Sequence, residues 1–133
     1  MSIVDIPTLA KTTWELYTHC NFIARDASDE FRDLVTEVGS LQANLRALND
    51  DVGTNTPFFE RMSEDRKVAL ERCLNTCSQT LQELKNLLHR YQELGIADSK
   101  HFWWTTKSQI VDLRSRVMVH TCDLSLCMSS IGK

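Results

Sequence analysis

Glycine and proline are scarce, with four and two among 133 residues. Turns between strands consume both types, so a β-sandwich of this length is excluded. No apolar run approaches the roughly 18–20 residues of a membrane-spanning helix. The opening MSIVDIPTLAKTTWE lacks a basic start followed by an apolar run, so no secretory signal is read there. Neither sign of charge dominates. Fifteen basic residues stand against eighteen acidic ones, net −3, which excludes a generically basic nucleic-acid binder. There is no CxxC, no glycine-rich phosphate loop and no GxSxG.

What remains is 42% hydrophobic and long enough for one domain with a real core. Its hydrophobic residues recur at helical spacing. Pro7 suits a first helical turn, and Ile6, Leu9, Thr13, Leu16, Cys20 and Ile23 form one face, widened by Trp14 and Tyr17. That helix spans 7–25. Ser28 caps a second helix over 28–52, with Asp29 and Glu30 at its positive end. Phe31, Leu34, Val38, Leu41, Leu45, Leu48 and Val52 follow at spacings of three and four, an unbroken heptad seam. Gly39 sits inside it, at about 1 kcal/mol against alanine, and implies close helix approach or a bend.

Asn49 to Pro57 is the densest turn chemistry. Ser63 caps a third helix over 64–94, with Leu70, Leu74, Cys77, Leu81, Leu84, Leu88 and Tyr91 as its seam and Gly95 as its C-cap. A fourth runs over 101–130, burying Trp103, Ile110, Leu113, Val117, His120, Leu124, Cys127 and Ile131. Short connections make sequence neighbours antiparallel. The expected fold is therefore all-α, a single up-down-up-down four-helix bundle over residues 1–133.

Five cysteines without a signal peptide read as reduced thiols of a cytoplasmic protein. Up-down topology puts Cys73 and Cys77 at the same end as His120, Cys122 and Cys127. Those groups suit zinc, but the spacing is a poor warrant, and buried cysteine is common. No metal or cofactor is expected. His19–Cys20 and His120–Cys122 are too close in sequence to face one another on a helix, so no catalytic pair is read. The expectation is a chain that is not an enzyme and takes no small-molecule substrate.

The segment DASDEFRDLVTEVGSLQANLRALND resembles the helical N-terminal domains of fungal NLR-like (STAND) proteins. LERCLNTCSQTLQELKNLLHRYQELG, LRSRVMVHTCDLSLCMSSI and a tryptophan early in the fourth helix extend the likeness over about residues 8–131. Such domains are related to HeLo-like cell-death bundles and plant coiled-coil receptor domains. The resemblance implies non-catalytic signalling and self-association in innate immunity or cell death. In some members it implies membrane-directed killing through the first helix. Two departures stand out. No nucleotide-binding module lies within these residues. The first helix is also more polar than that of membrane-active members and lacks a basic face, which disfavours a membrane partner.

Two features locate the expected contact. Residues 26–51 carry seven acids and two bases, net −5, while residues 100–116 carry four bases and one acid, net +3. Solvated faces account for much of this. The functional reading pairs the acidic second helix with the basic fourth helix of a neighbour. Phe58–Phe59 and Phe102-Trp103-Trp104 mark opposite ends, and adjacent tryptophans on a helix cannot both face one core. The candidate interaction residues are Trp103, Trp104, Lys107, Arg114 and Arg116. The expected partner is a protein or a second copy of the chain.

Overall fold

The computed structural model describes residues 5–54, 60–94 and 99–131. Every element among them is helical: α1 (Ile6–Ala24), α2 (Asp29–Thr54), α3 (Glu64–Leu94), α4 (Ser99–Thr105) and α5 (Lys107–Ile131). Gly95, Phe58 and Phe59 lie outside the described residues.

The starts of α2 and α3 follow from their caps. Ser28 Oγ accepts from Phe31 N at 3.3 Å, and Ser63 Oγ accepts from Arg66 N at 3.4 Å, each filling one orphan donor. Arg32 closes the α1–α2 corner from the other side. Its guanidinium donates to the carbonyls of Ala24 at 3.1 Å and Ala27 at 2.9 Å, where α1 runs out of partners. An ion pair to Asp29 at 2.9 Å steadies it.

The heptad seams become the core. Ile6, Leu9, Leu16, Cys20 and Ile23 of α1 meet Phe31, Leu34, Val38, Leu41, Leu45 and Leu48 of α2 in one buried cluster. Leu70, Leu74, Cys77, Leu81, Leu84 and Leu88 of α3 join it, with Ile110, Leu113, Val117 and Leu124 of α5. Trp14, expected to widen the α1 face, is half exposed instead.

Two expectations need correction. The fourth helix is not continuous: α4 and α5 meet at Thr106. Thr105 Oγ1 donates to the His101 carbonyl at 3.0 Å, and Thr106 Oγ1 to the Phe102 carbonyl at 2.6 Å. Such back-bonding competes for carbonyls and bends helices. The ladder survives the break, since Thr106 N still reaches Phe102 O at 3.0 Å and Ile110 N reaches Thr106 O at 2.9 Å.

The second correction concerns neighbours. α1 packs on α2 and α3, and α5 packs on α2 and α3, leaving α2 and α3 diagonally opposite. Asn44 of α2 bonds the Thr121 carbonyl at 3.1 Å, and Glu30 pairs with Lys107 at 3.2 Å, so α2 and α5 run parallel. Arg90–Gln109 and Thr80–His120 make α3 and α5 antiparallel. The short α1–α2 connection enforces an adjacent antiparallel pair. The nine residues between Thr54 and Glu64 reach up to ~3.3 Å each, enough for a diagonal crossing.

Gly39 is explained by Tyr17. A Cβ on Gly39 would stand 2.9 Å from Cε1 of that ring, inside van der Waals contact. Alanine gains about 1 kcal/mol of helix propensity but must push the ring aside. Gly39→Ala is therefore expected to be neutral or destabilising in the native chain. In a Tyr17→Ala background it is expected to stabilise by about 1 kcal/mol. Urea unfolding of the four proteins reads the difference, and equal effects in both backgrounds would refute the contact.

Candidate interaction surface

The two tryptophans of α4 divide the work. Trp103 is seven residues before Ile110 and turns inward with it, only 7% exposed. Its ring lies 4.8 Å from Phe31 and 5.0 Å from both Tyr91 and Phe102. This aromatic cluster joins α2, α3 and α4 at one end of the molecule. Trp103 is thus a core residue and is withdrawn as a contact to a partner. Trp104, one position on, is 77% exposed.

The basic residues were expected to reach a neighbour, and two of them are engaged within the chain. Lys107 pairs with Glu30 across α2 and α5 at 3.2 Å. Arg116 pairs with Glu83 of α3 and, one helical turn away, with Asp112 at 3.0 Å. The acidic second helix and basic fourth helix therefore meet inside one molecule, at least at Glu30. Glu30 is held below its ordinary value by a backbone hydrogen bond and by Lys107. Arg114 is half-buried, and its Nε has no hydrogen-bond partner among the described residues.

A different feature of α5 was missed by the periodicity. Its inner face is apolar, but so is much of its outer face. Val111, Met118, Val119 and Leu126 are exposed, Leu126 at 70%. Trp104, Val111 and Met118 are successive seventh residues, while Val119 and Leu126 lie one position on, about 100° round from that series, so the five span an outer face about 100° wide. A seven-residue step turns the helix only about 20° from alignment. The hydrogen-bond ladder through Thr106 carries the row from α4 into α5. From Trp104 to Leu126 the row is about 33 Å long at 1.5 Å per residue. Isolated exposed hydrophobes are ordinary, whereas several on one helix face make that face a candidate contact surface. Cys122 and Ser115, small and exposed, lie in the same row.

Two grooves flank the helices. One between α1 and α3, about 320 Å³, is lined by polar groups such as His19, Lys85, His89 and Gln92. Gln92 and His19 bond each other there at 2.8 Å. The other lies between α3 and α5, about 410 Å³, and holds Cys73, His120, Asp123 and Cys127. Cys73, His120 and Cys127 thus line one groove, at the common end that the up-down topology implies, while Cys122 faces outward. No group of three His, Cys, Asp or Glu among the described residues has the arrangement of a metal site. His120 bonds Thr80 Oγ1 at 2.8 Å, both buried, so the pair satisfies two core polar groups. Burial holds the His120 imidazole below its ordinary value, with Arg116 acting the same way and Asp123 opposing.

No family model, curated protein or solved structure matches the chain.

Proposed function

We propose that this chain is a non-catalytic self-association and protein-interaction domain. It is of the cytoplasmic signalling type implied by its resemblance to the N-terminal bundles of fungal NLR-like receptors. The observation that carries the reading is the exposed row Trp104, Val111, Met118, Val119 and Leu126. A second copy or a partner helix laid along it would bury five large apolar side chains. Tryptophan supplies an anchor of the kind that dominates interface energy. The long helices α1, α2, α3 and α5 then act as a bundle that supports the α5 part of this face, with Trp104 set at its end on α4.

The charge-steered contact expected from the −5 and +3 segments gives way to an apolar one, because Lys107 and Arg116 already have partners. The two differ in salt response. A charge-steered dimer weakens at 1 M salt, where the screening length is about 3 Å. Apolar association does not.

A membrane-directed executor using α1 is the competing reading. It requires α1 to leave the core, exposing Ile6, Leu9, Leu16, Cys20 and Ile23. No helix among the described residues is long and apolar enough to cross a membrane. Light scattering with and without anionic vesicles, together with dye leakage, separates them. Mass rising with protein concentration and no leakage are expected. Leakage at micromolar protein would favour the executor.

A further inference from the structure

The outer face of α5 reads alike from its two ends. Counted from Ser115, Trp104 and Leu126 lie eleven residues either way, Ser108 and Cys122 seven, and Val111 and Val119 four. All of these residues are exposed. Large side chains therefore answer large ones about Ser115, and small ones answer small. At about 100° per residue the set stays within about 40° of Ser115 and falls alternately to one side and the other. It forms one zigzag seam. The buried Ile110, Leu113, Val117 and Leu124 lie on the opposite side of the helix.

We propose that this seam pairs antiparallel with the same seam of a second copy, about a two-fold axis through Ser115. The inference rests on the self-association proposed above and supplies its geometry. Trp104 then covers the partner's Leu126, and Val111 packs on the partner's Val119. Ser108 faces the partner's Cys122, and the two Ser115 side chains meet on the axis. The hydrogen-bond ladder through Thr106 brings Trp104 to the level of the partner's Leu126. Each pair joins residues from opposite sides of the two seams, so the side chains interleave rather than collide. The serine and cysteine layers let the helix axes approach closely, and the valines fill the space either side of the central serines. Met118, about 60° round from Ser115, lies beside the partner's Val111 and widens the contact.

Symmetry and charge both argue for a second copy in this orientation. In a two-fold contact one patch must complement itself, and the order about Ser115 meets that demand. A parallel pair would bring Lys100 and Lys107 of both copies to one end. The antiparallel pair sets that end level with the partner's Asp123 instead. Near the axis, Asp112 and Arg116 share one flank and pair with each other at 3.0 Å. Each comes level with its opposite in the second copy, so the charges alternate there. They are already paired within the chain, and they select the orientation rather than drive association. Arg114, about 100° round and half-buried, stays clear of the seam. A two-fold contact of this kind closes at two copies.

The test uses bis-maleimidoethane, a short thiol-to-thiol linker, on the full chain at concentrations spanning its association. Within one chain positions 108 and 122 are about 21 Å apart, beyond the linker's reach. The same distance separates the two Cys122 residues of an antiparallel pair. The native chain is therefore expected to give no linked dimer on a denaturing gel. Ser108→Cys is expected to give one, with tryptic peptides joining position 108 to the partner's Cys122. Ser115→Cys is expected to link at its own position. A dimer of the native chain linked through Cys122 on both copies would mean a parallel pair. That result would overturn this proposal and leave self-association through α5 standing. Association by light scattering without links from 108 or 115 would place the contact elsewhere and overturn it as well. One-copy mass at every concentration would refute self-association itself, and this geometry with it, leaving the face to a different protein.

Discussion

Phe31→Ala is expected to cost about 3–5 kcal/mol, the range for emptying a buried phenylalanine site. The ring is fully buried and lies against Trp103 at 4.8 Å, where α2 meets α4. Aromatic pairing adds about 0.5–1.5 kcal/mol beyond area. A domain of this size commonly has about 5–15 kcal/mol of total stability, so the loss is a large fraction of it. Phe22 is the control, since it is 73% exposed. Phe22→Ala should stay within about 0.5 kcal/mol. Chemical denaturation measures both. Equal losses from the two substitutions would mean that the aromatic cluster does not secure this end of the molecule.

The second large effect concerns association. Trp104→Ser and Leu126→Asp each remove an exposed apolar group from opposite ends of the row. Neither side chain is in the core, so each variant should unfold within about 0.5 kcal/mol of the native chain. Association should suffer far more. An anchor worth about 2 kcal/mol corresponds to roughly a thirtyfold weaker dissociation constant. Leu126→Asp also places a charge in the contact, which needs a partner to be tolerated there. Arg116→Glu should act in the opposite pattern. It sets a third carboxylate beside Glu83 and Asp112, so it destabilises the single molecule rather than the contact.

The core was largely legible in the sequence. All six α1 positions read at three-and-four spacing are buried, Thr13 and Cys20 among them. The α2 seam from Phe31 to Leu48 is buried throughout. Both serine caps hold the bonds that their positions implied. Periodicity works here because each long helix has one face to hide.

What was hidden has physical reasons. The break at Thr106 falls where two successive hydroxyls bond back to carbonyls, and hydrophobic spacing is blind to that. The diagonal placement of α2 and α3 depends on which seams fit one another, and a heptad pattern does not name its partner. The charge split looked intermolecular because sequence cannot show that Lys107 reaches Glu30. The outer row of α5 was the one signal present and overlooked. Val111, Met118 and Leu126 are interleaved with Ile110, Val117 and Leu124, so a search for one buried face passes over them. The same spacing also distinguished the tryptophans, since Trp103 is in step with Ile110 and Val117 and Trp104 is not.

Sedimentation equilibrium over a hundredfold concentration range tests the central claim most directly. The native chain is compared with the Trp104→Ser, Leu126→Asp double variant at low salt and at 1 M salt. The account predicts a mass that climbs from one chain towards two or more as concentration rises, unchanged by salt, and a double variant that stays at one chain throughout. A native chain with the mass of one copy at every concentration would contradict it. So would an association that 1 M salt dissolves and the two substitutions leave intact.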